Sequence, residues 1–297
     1  MKKMTKFFAL ALLAGAMVSC STEDTAPSVQ NDKVAVQFTG GISVNTRAAG
    51  LAWAEGDMIG IFMTGTKQPL SADAIQEGVD NICYQTSGSI GFSPVSGGKT
   101  IFFPIDGDVD FYSYYPQTTV NDYKVALDVT DQGKQEAIDF MYAKTEGCNK
   151  ATPQVFLKFY HKLSNLVLDV QPGNGLTQED LKKMTVKVKD QNTKATFNLA
   201  DGTISGEGNP TDIKMKTTQA GKLYEAILLP TEEASRVIEF DLNNGYDAPF
   251  VWTMPAKLEG GNRYHYTVVK LSRSAVDISG NIEPWTEAGD NNEHIAQ

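Results

Sequence analysis

Apolar and polar residues alternate with a period of two along most of this chain, the repeat of a half-buried strand rather than a helix. Val34, Val36 and Phe38 share one face of residues 34–38. Residues 58–63 form an unbroken apolar run, as in a strand buried on both faces. Further strands are predicted at 100–103, 109–115 and 138–143. A second series follows from 155, with 163–170, 184–188, 195–199, 223–229, 237–242, 250–254, 264–271 and 275–278. Asp201-Gly202, Asn244-Gly245 and Gly260-Gly261-Asn262 fall between strands. Gly and Asn tolerate the positive φ that hairpin turns need. Only 71–78 and 177–183 carry a helical period, and Thr177 with Asp180 three residues on resembles a capping box.

The expected fold class is therefore all-β. Two groups of short strands at this spacing predict two β-sandwiches in tandem. The break falls at the Gly147 to Pro153 stretch, giving an N-terminal sandwich over 48–152 and a C-terminal one over 153–297.

The first residues follow another logic. Lys2, Lys3 and Lys6 precede an apolar run over 7–18, the layout of a secretory signal peptide. The run is too short for a stop-transfer helix, and no later apolar run is long enough to span a bilayer. Ala16-Met-Val-Ser-Cys20 resembles a bacterial lipobox, although Met17 stands where Leu is usual. That resemblance implies removal of 1–19 and lipidation of Cys20, tying the exported chain to a membrane. Ser21-Thr-Glu-Asp24 resembles the surface-export signals of some Gram-negative lipoproteins, and the polar segment to Asp32 reads as a tether.

Charge narrows the partners. Lys plus Arg number 26 and Asp plus Glu 36, a net charge of −10. Loss of the three signal-peptide lysines makes the exported chain −13. An acidic chain is a poor binder of phosphate backbones, so nucleic acid is not an expected partner. Cys83 and Cys148 remain after export, and the sequence leaves open whether they pair.

Catalytic and metal chemistry finds little support. Ser96-Gly-Gly-Lys-Thr100 resembles the end of a P-loop, but the first glycine of that pattern is replaced by Ser93. His161, His265 and His294 lie too far apart in sequence for a spaced ligand pair. Asp106, Asp108 and Asp110 have the spacing that opens a Ca²⁺ loop, but the twelfth position is Gln117, not the required Glu. An acidic hairpin is the simpler reading. Phe111, Tyr112, Tyr114 and Tyr115 could stack on sugars, although strand alternation more simply sends one pair into a core. No cofactor is implied and no enzymatic activity is expected.

Seven landmarks in order carry more information. They are Thr46-Arg47-Ala48, Trp53-Ala-Glu-Gly56-Asp57-Met-Ile-Gly-Ile-Phe62, Ile101-Phe-Phe-Pro104 and Asp110-Phe-Tyr-Ser-Tyr-Tyr-Pro116. Phe159-Tyr-His161-Lys-Leu-Ser-Asn-Leu166, Gly261-Asn-Arg-Tyr264-His-Tyr266 and Ile282-Glu-Pro-Trp285 complete the set. After a lipoprotein signal, this series closely resembles the fimbrillin-like family of Gram-negative surface lipoproteins.

The resemblance implies transthyretin-like sandwiches and a non-enzymatic subunit of a surface fimbria that assembles with other subunits by donor-strand exchange, with an adhesive role as one option. It also implies an outer-membrane lipoprotein precursor, cut after Arg47 by an Arg-specific extracellular protease so that Ala48 becomes the new terminus. Residues 20–47 then leave as lipidated tether and removable strand, and the mature chain carries −12. The strand's inward residues are expected to be Val34, Val36, Phe38, Ile42 and Val44.

The segment with Val276, Ile278, Ile282 and Trp285 either swings out as donor or stays as closing strand. A Trp beside Pro looks like a core anchor and favours the second case, a tip or accessory subunit. A surface glycan-binding lipoprotein that never polymerises is the alternative, and the residues name no host or bacterial ligand.

Overall fold

The computed structural model describes residues 33–43, 53–255, 257–273 and 275–284. The protein is all-β, as the alternation predicts. Its first strands are β1 (Gln37–Ile42), β2 (Glu55–Gly65), β3 (Ile82–Ser87), β4 (Gly91–Pro94) and β5 (Val109–Tyr115). They are followed by β6 (Lys124–Asp128), β7 (Met141–Cys148), β8 (Gln154–His161) and β9 (Ser164–Pro172). Seven of these close a barrel in the order β1-β4-β3-β2-β5-β7-β8. The β1–β8 pairing is parallel and every other barrel pairing antiparallel.

Beyond β9 come the short helix α1 (Gln178–Leu181), β10 (Thr185–Gln191), β11 (Lys194–Asn198), β12 (Thr203–Gly208) and β13 (Thr211–Lys214). The chain continues with β14 (Lys216–Gln219), β15 (Leu223–Leu228), β16 (Arg236–Asp241), β17 (Phe250–Met254), β18 (Asn262–Ser272) and β19 (Ala275–Pro284). These build a five-stranded sheet, β14-β15-β9-β18-β19, and a four-stranded sheet, β13-β10-β16-β17. A third sheet, β12-β11-β6, takes β6 from the earlier part of the chain. β8, which starts two residues past the predicted 152/153 division, belongs to the barrel.

Two hydrophobic cores result. Val36, Phe38, Trp53, Ile59, Ile61, Tyr84, Phe111 and Phe159 fill the barrel. Leu166, Leu168, Val186, Tyr224, Ile238, Phe240 and Tyr264 belong to the second core, which draws on both larger sheets. β5 is the wall between them, and all seven of its residues are buried. Phe111 points into the barrel, whereas Tyr112 and Tyr114 join the second core. Both aromatic pairs are thus interior, where alternation alone placed only one, because this strand has a core on each side. Gln132 adds a polar tie: its amide accepts from the Ile227 N–H (2.8 Å) and donates to the Ile227 carbonyl (2.9 Å), mimicking a strand neighbour.

Three local expectations change. Residues 71–78 form only a 3₁₀ turn, Ala72–Ala74. Glu77 and Gly78 both adopt positive φ, which ends any helix there. Residues 100–103 make a single bridge, Ala35 to Phe102, instead of a strand. The strand expected from 138 begins at Met141, since Ile138 closes a 3₁₀ turn. The capping box at α1 forms as read, with Thr177 and Asp180 each capping the other's backbone N–H.

Candidate functional site

Of the residues singled out upstream of Arg47, Phe38 and Ile42 lie on β1, the strand that closes the barrel, and Val34 and Val36 directly precede it. β1 lies between β4 and β8, with Phe38 opposite Phe92 and Val155, and Ile42 opposite Phe159. Its backbone is held on both sides. Gln37 N–H donates to the Pro153 carbonyl (2.9 Å) and Gly40 N–H to the Ile90 carbonyl (2.7 Å). Just upstream, Val36 N–H donates to the Ile101 carbonyl and Phe103 N–H to the Val34 carbonyl, both at 3.0 Å.

Side chains follow the predicted alternation. Val36 and Phe38 are buried, with Val34 and Ile42 half-buried beside them. The Phe38 ring meets Tyr84 and Phe111 edge-on at centroid distances of 5.3 and 5.0 Å. Such pairs contribute about 0.5–1.5 kcal/mol beyond area burial. Trp53, the first described residue after β1's segment, packs edge-on against Phe92, Tyr115 and Phe159. Its indole N–H donates to the Gly40 carbonyl at 2.8 Å. Trp53 therefore grips the backbone of β1 from within the barrel. Sequence reading missed this contact; paired glycines inside a strand, Gly40-Gly41, were its available signal.

Cys20, Val44, Arg47, Ala48 and Trp285 lie outside the described residues. Arg47 nevertheless stands in the sequence between Ile42, the end of β1, and Trp53. A cut there divides the barrel between two chains and severs no described strand.

The other candidate segment is β19, at one edge of the five-stranded sheet. Among the described strands it pairs with β18 alone, setting Val276 opposite Leu271, Ile278 opposite Val269 and Ile282 opposite Tyr264. Ile282 is exposed.

The acidic triplet does different work. Asp110 is fully buried and its carboxylate is held by protein donors: Thr66 Oγ1, Lys67 N–H and Gly147 N–H, each at 2.9 Å. Asp108 accepts from Asn149 Nδ2 at 3.1 Å, and Asp106 is exposed. Among the described residues, no group of three or more His, Cys, Asp or Glu side chains is arranged to hold a metal ion. Asp110→Ala strands three donors at the β5–β7 end of the barrel. It should lower unfolding free energy by about 2–4 kcal/mol, measured by urea denaturation with and without the substitution.

His161 is buried with Nδ1 2.8 Å from an Asp139 carboxylate oxygen, an internal pair. Cys83 and Cys148 are free thiols. Burial raises both, and Cys148 is pushed to about 11, helped by the nearby charges of Asp110 and Asp108. Both are consequently poor nucleophiles at neutral pH.

Comparison with known proteins agrees with the architecture. A family model described as "Fimbrillin-like" matches residues 46–285. A Bacteroides uniformis protein named "Putative fimbrium subunit Fim1C" is 33% identical over 294 residues, covering 93% of each chain. The crystal structure of a "putative cell adhesion protein" from the same species matches with a TM-score of 0.73 at 32% identity, covering 86% of this chain and 99% of that one. A second so described, from Bacteroides ovatus, matches with a TM-score of 0.69 at 24% identity and the same coverage. The chain belongs to the fimbrillin-like family.

Proposed function

We propose that this protein is a structural, non-enzymatic subunit of a cell-surface fimbria that matures by losing its first strand and assembles by receiving another. Its precursor is exported as an outer-membrane lipoprotein anchored through Cys20. An Arg-specific protease cuts after Arg47, and residues 20–47 depart with the lipid. The observation that carries this reading is that β1, upstream of Arg47, is an integral strand of the barrel. Its loss would unpair one edge of β4 and one of β8 and uncover Tyr84, Phe92, Phe111 and Phe159. Full burial of an apolar side chain is worth about 1.5–3 kcal/mol, so Val36 and Phe38 alone leave roughly 3–6 kcal/mol of unmet burial. An open slot with free backbone groups and an apolar floor is an acceptor for a donated strand.

The edge position of β19 supports the donor case over the closing-strand case. At home it has one neighbour among the described strands; in the slot it would have two. Leaving the sheet surrenders one ladder and entering the barrel forms two, which favours exchange.

The test is digestion of the full-length protein with an Arg-specific protease, followed by amino-terminal sequencing and electrophoresis without heating. Ala48 at the new terminus together with a ladder of oligomers is expected. An uncut monomer, or a cut chain that keeps residues 20–47 bound and never oligomerises, would overturn the proposal.

A further inference from the structure

The slot around β1 has one inward position that admits no side chain. Inward residues recur at 36, 38, 40 and 42, and the third is Gly40. A Cβ placed there would stand 2.9 Å from Phe92 Cε2 and 3.3 Å from Phe159 Cε2. Neither ring has room to yield: both are buried and both press edge-on against Trp53, at 5.1 and 5.2 Å. Gly40 is not among the glycines with positive φ, so space and not backbone conformation excludes a larger residue. The Trp53 hydrogen bond to the Gly40 carbonyl fixes the strand at the same point. Position 41 is different. A Cβ there would meet only the end of the Phe156 ring, which is 53% exposed and free to swing aside.

The slot therefore reads apolar, x, apolar, x, Gly, x, Ile, in Val36-Gln-Phe38-Thr-Gly40-Gly-Ile42. One other strand of the chain repeats that order: Val276-Asp-Ile278-Ser-Gly280-Asn-Ile282, in β19. The match includes a hydroxyl residue before the glycine and places Asn281 at the tolerant outward position. A shift of two residues either way would put Ile278 or Ile282 against Phe92 and Phe159. A shift of one would turn the apolar face outward.

We propose that a donated β19 enters the slot in one register only, because Gly280 alone fits the site shaped by Trp53, Phe92 and Phe159. This rests on the strand-exchange reading above and adds to it which residues decide fit. Trp53 is the positioning residue, gripping the donor backbone as it grips Gly40.

Gly280 is also tightly placed at home, where a Cβ would lie 2.4 Å from Tyr266 Cδ1, so substituting it in the whole chain would confound folding with fit. The experiment instead uses full-length protein cut with an Arg-specific protease and a synthetic peptide of residues 274–284. Binding is measured by fluorescence anisotropy. The native peptide is expected to bind, and a Gly280→Ala peptide about tenfold more weakly, as overpacking of a buried site demands. Against a Phe92→Leu protein, which lacks the ring atom nearest position 40, the two peptides should bind alike. Equal binding of both peptides to the native slot would overturn the glycine requirement and leave strand exchange standing. Binding of neither peptide would overturn strand exchange by β19. In the uncut chain, Gly40→Ala should lower the melting temperature and Phe92→Leu should restore part of it. An unchanged Gly40→Ala melt would sink the steric reading by itself.

Discussion

Arg47→Ala is expected to abolish assembly while leaving the folded monomer intact. The substituted position lies in the sequence between β1 and Trp53, so no residue of a described strand or of either core is changed. The cut, however, disappears. β1 then stays covalently joined to its own slot, and a strand on a short tether competes at an effective concentration on the order of millimolar. A donor from another subunit at about micromolar concentration faces roughly a thousandfold disadvantage before any difference in fit is counted. Protease-treated Arg47→Ala protein should therefore run as a monomer in size-exclusion chromatography with light scattering, at the melting temperature of the uncut native chain. Native protein treated alike should elute as oligomers. Continued assembly of the variant would show that β1 need not leave, or that cleavage elsewhere frees it.

Much of the fold is legible because period-two alternation reports which residues face a core. That signal marks β1, β5, β9, β10, β15, β16 and β18 without a structure, and an unbroken apolar run marks β2. It says nothing about which sheet a strand joins. β6 pairs with β11, some seventy positions downstream, while β8 stays with the barrel. No local pattern announces either choice, since pairing partners are set by long-range packing. The short strands β3 and β4 also escape notice: Gly88 and Gly91 punctuate the segment, and its buried residues, Tyr84, Thr86 and Phe92, are too few for a periodic run.

The site divides the same way. Val36 and Phe38 are recognisable as an inward face, yet their position between β4 and β8 is a property of the closed barrel. Asp110 shows why spacing alone is not a metal site: a carboxylate two positions from its neighbours has the spacing of a metal loop, but burial with three protein donors makes it an internal cap. Gly40 is the most instructive. A glycine within a strand usually weakens it, and here its smallness is what lets Phe92, Phe159 and Trp53 meet over the backbone.

Phe38→Ala should destabilise the uncut chain severely and the assembled fimbria not at all. Phe38 is 2% exposed and meets Tyr84 and Phe111 edge-on inside the barrel. Truncating a buried Phe to Ala costs about 3–5 kcal/mol, the lost transfer term plus the cavity it leaves. For a chain of this size that corresponds to a fall in melting temperature on the order of 10 °C, readable by calorimetry of uncut protein. The barrel is closed by the strand that carries the cavity, so early opening of β1 should accompany the loss and appear as faster amide exchange along β4 and β8. On the proposed strand exchange, cleavage carries the substituted residue away with the released piece, and the slot is refilled from a neighbour whose sequence is native at every slot-facing position. Assembled Phe38→Ala material should therefore melt with assembled native material. Phe111→Ala is the control: Phe111 lies on β5 in the same core and remains in the mature chain, so it should lower both melts. If Phe38→Ala weakens the assembled form as much as Phe111→Ala does, β1 is still in its slot in the fimbria, and the barrel is completed from within rather than by a neighbour.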